Sequence, residues 1–188
     1  PDLRAAAISS PITRPPGEEF HYKNFHILLL GLVLERTTGR PVAQYLAEKI
    51  WQPLGMEAPG SWSLDSEHSG FEKMESGING RAIDFAKFGW LFLRHGKWRG
   101  QQLIPAAWIA ESTRIDATTD PALAYQYFWW INTKATGKHH FYAAGKYGQY
   151  LYLAPEQNLL FVRFGKTDPY GQWPEIFEIL AQRIFRSS

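Results

Sequence analysis

Apolar side chains recur at helical spacing near the start of the chain and predict two connected helices. The apolar run over residues 27–34 predicts a buried helix over about 24–36. Asn24 is suited to cap its N-terminus, and Gly39 to end it. A proline in the first turn predicts a second helix over about 41–51.

The middle of the chain predicts an irregular segment followed by two more helices. Residues 53–79 are polar and glycine-rich with few periodic apolar positions, which predicts irregular structure with one short strand around Trp62. A broad apolar face then predicts a core-facing helix that opens at Asn79 and ends at His95–Gly96. Pro105 begins a shorter helix.

The last third changes to the spacing of β-strands. Four aromatic and aliphatic runs are separated by turn residues and predict an antiparallel sheet, at 125–132, 139–144, 150–154 and 159–164. Pro174 then opens a final helix whose apolar stripe would cover one face of that sheet. The predicted fold class is α+β. A flexible linker is predicted only within residues 1–17.

Composition narrows the class of protein. A hydrophobic content of 45% with 20% charged residues is typical of a folded globular chain. The longest apolar run is far shorter than the ~20 residues of a membrane span, so no span is expected. The net charge of +2 comes from dispersed side chains, which argues against nucleic-acid binding. The absence of cysteine excludes disulfides and thiolate metal sites but does not decide the compartment.

Metal and cofactor chemistry have little support in the sequence. The adjacent pair His139–His140 would diverge on a strand, and His21 and His26 are five residues apart, which misses helical ligand spacing. Asp84 and Lys87 predict a solvent-facing ion pair on a helix. We therefore expect no metal site and no cofactor, and structural or surface roles for the histidines.

Four short motifs occur in a specific order along the chain. They are the Tyr-x-Asn of Tyr22 and Asn24, PLGM at 53–56, D-x-A-x-F-G at 84–89 and A-x-G-x-x-G-Q at 143–149. Together they resemble the serine β-lactamase and penicillin-binding-protein superfamily, most closely its branch of esterases and amide hydrolases that includes 6-aminohexanoate-dimer hydrolase. Each motif is modest, but their order and spacing make the combination specific. The resemblance spans nearly the whole chain.

The resemblance implies a serine nucleophile in an S-x-x-K pair, which this chain lacks. None of the ten serines has a lysine three positions later. We therefore expect residues 1–188 to be the C-terminal portion of one β-lactamase-like domain, with a mainly helical region over 18–120 and the sheet with its covering helix over 121–188. Alone, this portion should be inactive, and its uncovered apolar surface should favour poor solubility or self-association.

Tyr22 is the first catalytic candidate that the resemblance implies. A phenol titrates near pH ~10, so a tyrosine base needs neighbouring cations and hydrogen bonds that stabilise the phenolate. In this family the tyrosine is the base or acid for the serine and the leaving group, and Asn24 would position lysine or substrate. The alternative is that Tyr22 is a half-buried packing residue and that Asn24 is a helix cap.

The second group of candidates comes from the A-x-G-x-x-G-Q motif. The resemblance aligns Ala143, Ala144 and Gly145 with a cation-small-Gly triplet on a strand, and makes the backbone N–H of Lys146 half of an oxyanion hole. The usual cation is missing, which favours neutral esters or amides over substrates that carry a carboxylate. A rival alignment takes residues 146–148 as the triplet and ranks second.

Two further side chains are candidates for lining the substrate cleft. Tyr147 and Gln149 are expected on the same strand, beside Ala144 and Gly145, although alternating aromatics on a sheet are also typical of packing residues. The leading hypothesis is an acyl-enzyme serine hydrolase acting on a small ester or amide. The alternative is a noncatalytic relative that binds a ligand or partner. Only the resemblance suggests an extracytoplasmic location, and the residues leave the compartment open.

Overall fold

The chain forms two compact units, Pro1–Arg81 and Ala82–Ser188. The computed structural model describes residues 2–13, 15, 20–116, 124–132, 138–168 and 171–186.

The first unit consists of helices and one short ribbon of two strands. Its elements are α1 (Leu3–Ser9), α2 (Asn24–Thr38), α3 (Val42–Leu46), a π-helical turn (Ala47–Trp51), β1 (Ser61–Trp62) and β2 (Ile78–Asn79), with β1 antiparallel to β2. The predicted helices and the strand at Trp62 are confirmed. Gly39 ends α2 in the left-handed conformation at φ 66°, as its position predicts.

Two sequence expectations in this unit are wrong. Asn24 is the first helical residue of α2 rather than its cap, because Lys23 takes the extended N-cap position. Asn79 lies in β2, so it does not open α4, the helix of the second unit described below. In both cases the side chain could cap a helix, but the helix begins at a different residue.

Helix α1 occupies residues for which the sequence predicted a linker. The guanidinium of Arg4 makes a two-point ion pair with the Glu35 carboxylate, and the first backbone N–H of the helix donates to Asp65 Oδ2 at 2.9 Å. Ala7 is buried against α2 and Phe71. A seven-residue helix is marginal in isolation, so these distant contacts account for it.

Asp65 is a buried carboxylate that serves the backbone. Burial alone would raise its pKa, but the backbone N–H groups of Leu3, Ser66 and Phe71 donate to it and hold its pKa below the ordinary value. The carboxylate therefore fastens α1 to the loop that follows β1.

The second unit is built on one antiparallel sheet. Its strands are β5 (Tyr125–Gln126), β6 (Trp129–Asn132), β7 (His140–Gly145), β8 (Gln149–Ala154) and β9 (Leu159–Arg163), hydrogen-bonded in chain order. Its helices are α4 (Ala82–Leu93), α5 (Ala106–Thr113) and α6 (Trp173–Arg186), and a ribbon of β3 (Lys97–Trp98) and β4 (Gln101–Gln102) follows α4. The α+β class is confirmed.

Both faces of the sheet are covered within this unit. One face packs on α4 and α5 through a cluster of Phe92, Ile109, Trp129, Ile131, Phe141, Leu151 and Leu153. The other packs on α6 through Tyr150, Tyr152, Ala154, Phe177 and Ala181. Alternate residues of β8 therefore enter opposite clusters, and five of its six residues are buried. This rigid strand and its neighbour β7 position the turn that joins them.

A polar cluster crosses the α6 side of the sheet. The buried imidazole of His140 lies 2.7 Å from the Tyr152 hydroxyl through Nδ1 and 3.1 Å from Gln157 Oε1 through Nε2. Asn132 donates to that hydroxyl and to Glu178. Burial lowers the pKa of His140 and raises that of Tyr152. The expected structural role of this histidine agrees with these contacts.

The expectation that Asp84 faces solvent is also wrong. Its side chain is fully buried, with Lys87 Nζ 4.0 Å from Oδ1, whereas the sequence predicted a solvent-facing pair. Asp84 stands seven residues before Leu91, which is also buried on α4. Residues seven apart share a helix face, so this spacing was the available signal.

Two observations concern membranes and metals. Among the residues that the structure describes, no helix is both long and apolar enough to cross a bilayer. The same residues contain no group of three histidine, aspartate or glutamate side chains arranged to hold a metal ion.

Candidate functional site

Tyr22 lines an open depression at the start of α2. Together with Lys23, Asn24 and Phe25 it faces Ser10, Pro11 and Thr13 across a space of about 560 Å³. Tyr22 is 58% exposed, so it presents much of its surface to the depression. Tyr22 therefore does not match the half-buried packing residue of the alternative reading.

The Asn24 side chain is exposed beside Tyr22. Because Lys23 is the N-cap and makes no side-chain capping bond, the Asn24 amide is not used to cap α2. In the described part of the chain, this amide makes no hydrogen bond. It can therefore bind a ligand or a lysine without first breaking a contact.

The second group of candidates lies at the hairpin that joins β7 to β8. Gly145 pairs with Gln149, so Lys146, Tyr147 and Gly148 form a three-residue turn. Tyr147 and Gly148 have φ of 66° and 80°, in the left-handed region that favours glycine. The preferred alignment of 143–145 with a strand agrees with the structure, whereas the rival triplet 146–148 is the turn itself.

The Lys146 backbone N–H is the chemically distinctive group of this turn. It makes no hydrogen bond among the described residues, and its residue is exposed. The side-chain ammonium of Lys146 lies 5.0 Å from the centre of the Tyr147 ring. An exposed, unbonded amide at the end of a rigid strand is what an oxyanion donor requires.

The expectation for Tyr147 and Gln149 is wrong in part. The two residues are not on one strand, because Tyr147 is in the turn and Gln149 opens β8. Tyr147 is exposed and can still line a cleft. The Gln149 amide is occupied by backbone partners, with Nε2 donating to the carbonyl oxygens of Lys146 at 3.1 Å and Gly165 at 2.6 Å.

Ala144 and Gly145 end β7 with exposed positions. A Cβ added to Gly145 would lie 3.1 Å from Gln149 Cβ, which is a tight contact. Ala143, which the resemblance aligns with a cation, packs against the apolar cluster of α4 and α5. These residues leave space beside the turn without supplying a charge.

The sequence reading missed the polar residues that underlie the turn. Asp168 accepts a hydrogen bond from the Tyr150 hydroxyl at 3.0 Å. Burial, together with this carboxylate, raises the pKa of Tyr150 to about 12. Arg163 donates to the Gly148 carbonyl oxygen. The only sequence signal was a polar residue at the end of an aromatic-rich strand.

The structure thus groups Tyr22 with Asn24 in the first unit, and Ala144, Gly145, Lys146 and Tyr147 in the second. A helical unit and an antiparallel sheet covered by helices on both faces define an α+β protein.

Comparison with known proteins identifies the family. The sequence model of the Beta-lactamase family matches residues 1–176, so the chain belongs to that family. The predicted resemblance is confirmed.

Solved structures show the same fold. A Bacillus anthracis protein described as a candidate 6-aminohexanoate-dimer hydrolase is 26% identical, with a TM-score of 0.84 over 98% of this chain and 48% of its own. An octameric penicillin-binding-protein homologue from Pyrococcus abyssi is 18% identical, with a TM-score of 0.71 over 94% of this chain and 44% of its own.

Curated sequences match over shorter stretches. A protein of Escherichia coli K12 described as a candidate D-alanyl-D-alanine carboxypeptidase is 36% identical over 47 residues, which are 25% of this chain and 11% of that protein. The chain therefore spans about half the length of the structural relatives above and a small part of this curated one.

Proposed function

We propose that the intact protein is a serine hydrolase that cleaves a small ester or amide through an acyl-enzyme. The nucleophile of this proposal is a serine in an S-x-x-K segment upstream of residue 1, since none of the serines present has that spacing. The unbonded Lys146 N–H on the β7–β8 turn is the observation that carries the proposal. Membership of the Beta-lactamase family supports it.

The proposed reaction has two halves. The serine oxygen attacks the substrate carbonyl while its proton passes to Tyr22, and the tetrahedral oxyanion receives hydrogen bonds from the N–H groups of Lys146 and the serine itself. The intermediate collapses, the bond to the alcohol or amine breaks, and Tyr22 returns the proton to that leaving group. Water then attacks the acyl-enzyme by the same route and releases the acid.

Asn24 and the exposed residues of the turn complete the proposed site. The free Asn24 amide can hold a lysine ammonium or a substrate carbonyl beside Tyr22. Ala144, Gly145 and Tyr147 are exposed next to the Lys146 amide and would contact the acyl group.

Neutral substrates are proposed because the position aligned with the family cation is an alanine. Ala143 is partly buried among apolar side chains, so it offers no charge to a substrate carboxylate. An acyl donor that carries a carboxylate would therefore meet no cation at this position.

A matched pair of esters tests this proposal. We expect the full-length gene product to hydrolyse p-nitrophenyl butyrate with a kcat/KM at least about tenfold above that for mono-p-nitrophenyl succinate, because desolvating a carboxylate that has no partner cation costs more than the ~1.4 kcal/mol that corresponds to tenfold. The two donors differ in the terminal carboxylate and share the leaving group. Equal rates, or preference for the succinate, would contradict the proposed neutral specificity, and no hydrolysis of either would contradict the function.

We also propose that residues 1–188 alone self-associate. Exposed apolar side chains form one face of α2, at Phe25, Leu29, Leu30 and Val33. Others lie along α6, at Ile176, Ile179, Leu180, Ile184 and Phe185. Surfaces of this kind are typical of protein interfaces, so they support association between copies when no further part of the protein covers them.

A further inference from the structure

The Gln149 side chain ties the β7–β8 turn to the end of β9. Both hydrogens of its amide are donated, one to the Lys146 carbonyl oxygen at 3.1 Å and one to the Gly165 carbonyl oxygen at 2.6 Å. Its own oxygen accepts the Gly165 N–H at 3.1 Å. A glutamine has only two N–H donors, so this side chain has none left for a substrate.

Arg163 reaches the other end of the same turn. Its Nη1 donates to the Gly148 carbonyl oxygen at 2.5 Å, its Nη2 to the Thr167 carbonyl oxygen at 3.3 Å, and its guanidinium lies 4.0 Å from the centre of the Trp173 ring. The planar fork is thus held on one face by an aromatic ring and at its edges by two carbonyl oxygens.

Two glycines make room for this guanidinium. A Cβ on Gly148 would lie 2.2 Å from Arg163 Nη1, and a Cβ on Gly165 would lie 1.9 Å from the same atom. The added Cβ on Gly165 would also lie 2.6 Å from the Tyr147 carbonyl oxygen. Both contacts are far inside van der Waals distance, so the slot is shaped for the guanidinium.

These contacts constrain the backbone on both sides of Lys146. The sheet pairing of Gly145 with Gln149 holds the strand ends. Gln149 holds the carbonyl of Lys146, and Arg163 holds that of Gly148. With both sides fixed, the direction of the Lys146 N–H is set before a ligand arrives, which is how an oxyanion donor gains its effect.

We propose that Gln149 and Arg163 are positioning residues that hold the Lys146 amide in its oxyanion-binding direction. This inference rests on the proposed acyl-transfer function. Gln149 then acts through the turn and makes no direct contact with substrate, in contrast to the role that the sequence suggested for it.

A matched pair of glutamine variants tests the proposal in the full-length protein. Gln149→Met removes the amide with little change of volume and adds no charge near the oxyanion. Gln102→Met is the control. Gln102 lies on β4, and its amide also donates to two backbone carbonyls, those of His95 and Ile104. Arg163→Lys keeps the positive charge but loses the fork, and provides a second variant if the first does not fold.

For Gln149→Met and Arg163→Lys we expect kcat to fall ~10- to 100-fold with KM changed less than about threefold, because oxyanion bonds strengthen in the transition state. Gln102→Met should retain the parental values. The backbone order parameters of Lys146 and Tyr147, measured by nuclear magnetic resonance relaxation, should fall from ~0.85 toward 0.6 in Gln149→Met and not in the control.

Each other outcome has a defined meaning. A raised KM with unchanged kcat would show that Gln149 binds substrate directly and would overturn the positioning role. Identical kinetics and order parameters in the two methionine variants would overturn it as well. If the parental protein hydrolyses no ester or amide, the acyl-transfer function fails, and unchanged order parameters in Gln149→Met would then overturn the bracing of the turn separately.

Discussion

Replacing Tyr22 with phenylalanine in the full-length protein is expected to lower kcat/KM for ester hydrolysis by ~10²- to 10⁴-fold, the usual contribution of a general acid and base. The substitution removes one oxygen from a ring that is 58% exposed in the depression at the start of α2. The free energy of unfolding should therefore change by no more than about 0.5 kcal/mol.

The control for this experiment is Tyr127→Phe. Tyr127 is 48% exposed and contacts Trp108 in the second unit, outside both groups of candidate residues. The same loss of one hydroxyl there should leave kcat/KM within about twofold of the parental value, as for surface substitutions away from a site. A fall of less than tenfold in Tyr22→Phe, or an equal fall in both variants, would remove Tyr22 from the proposed mechanism.

The second large effect concerns Gly96, in the turn that follows α4. Gly96 has φ 81°, and its N–H donates to the Leu91 carbonyl oxygen while its own oxygen accepts from Leu103. A Cβ there would lie 2.0 Å from the carbonyl oxygen of Ile104. Because that oxygen is backbone, it cannot rotate away, and either the cap or the following ribbon must move.

Gly100→Ala is the matched control, since Gly100 has φ 86° and a Cβ there would meet nothing within 4 Å. We expect Gly100→Ala to destabilise by about 1–2 kcal/mol through left-handed strain alone. Gly96→Ala adds a packing clash of about 1–3 kcal/mol to that strain, for a total of ~2–5 kcal/mol. Denaturant unfolding followed by far-ultraviolet circular dichroism measures both values. Equal losses would show that packing at Gly96 has no effect.

Local patterns in the sequence predicted most elements because their determinants are local. The end of α2 at Gly39 follows from a glycine that can adopt positive φ. The opening of α6 near Pro174 and the strands β7, β8 and β9 follow in the same way from residues within the element, whereas α4 ends at Leu93, before the predicted His95–Gly96, and the predicted strand 125–132 is the hairpin of β5 and β6. Such signals can be interpreted without knowledge of any distant contact.

The expectations that failed have local as well as distant causes. Helix α1 is held by Glu35 and Asp65, which periodicity within residues 3–9 cannot show. Asp84 is buried although its residue type favours solvent. A non-glycine residue at positive φ is uncommon, so the turn at Tyr147 was read as strand.

Some residues of the candidate site also have a local sequence signal, and others do not. Tyr22, Asn24 and Lys146 were found from short motifs and their order, and the structure shows them exposed. The Gln149 and Arg163 side chains contact backbone sixteen and fifteen positions away, at Gly165 and Gly148, and no motif was available for these contacts. These residues became recognisable only from the hydrogen bonds around Gly148 and Gly165.

Mapping the site of a covalent fluorophosphonate adduct on the full-length protein tests the central claim most directly. The proposal predicts one adduct, on a serine upstream of residue 1 that is followed three positions later by lysine, and none on residues 1–188. An adduct on any serine within residues 1–188 would contradict it, as would an upstream sequence that contains no such pair.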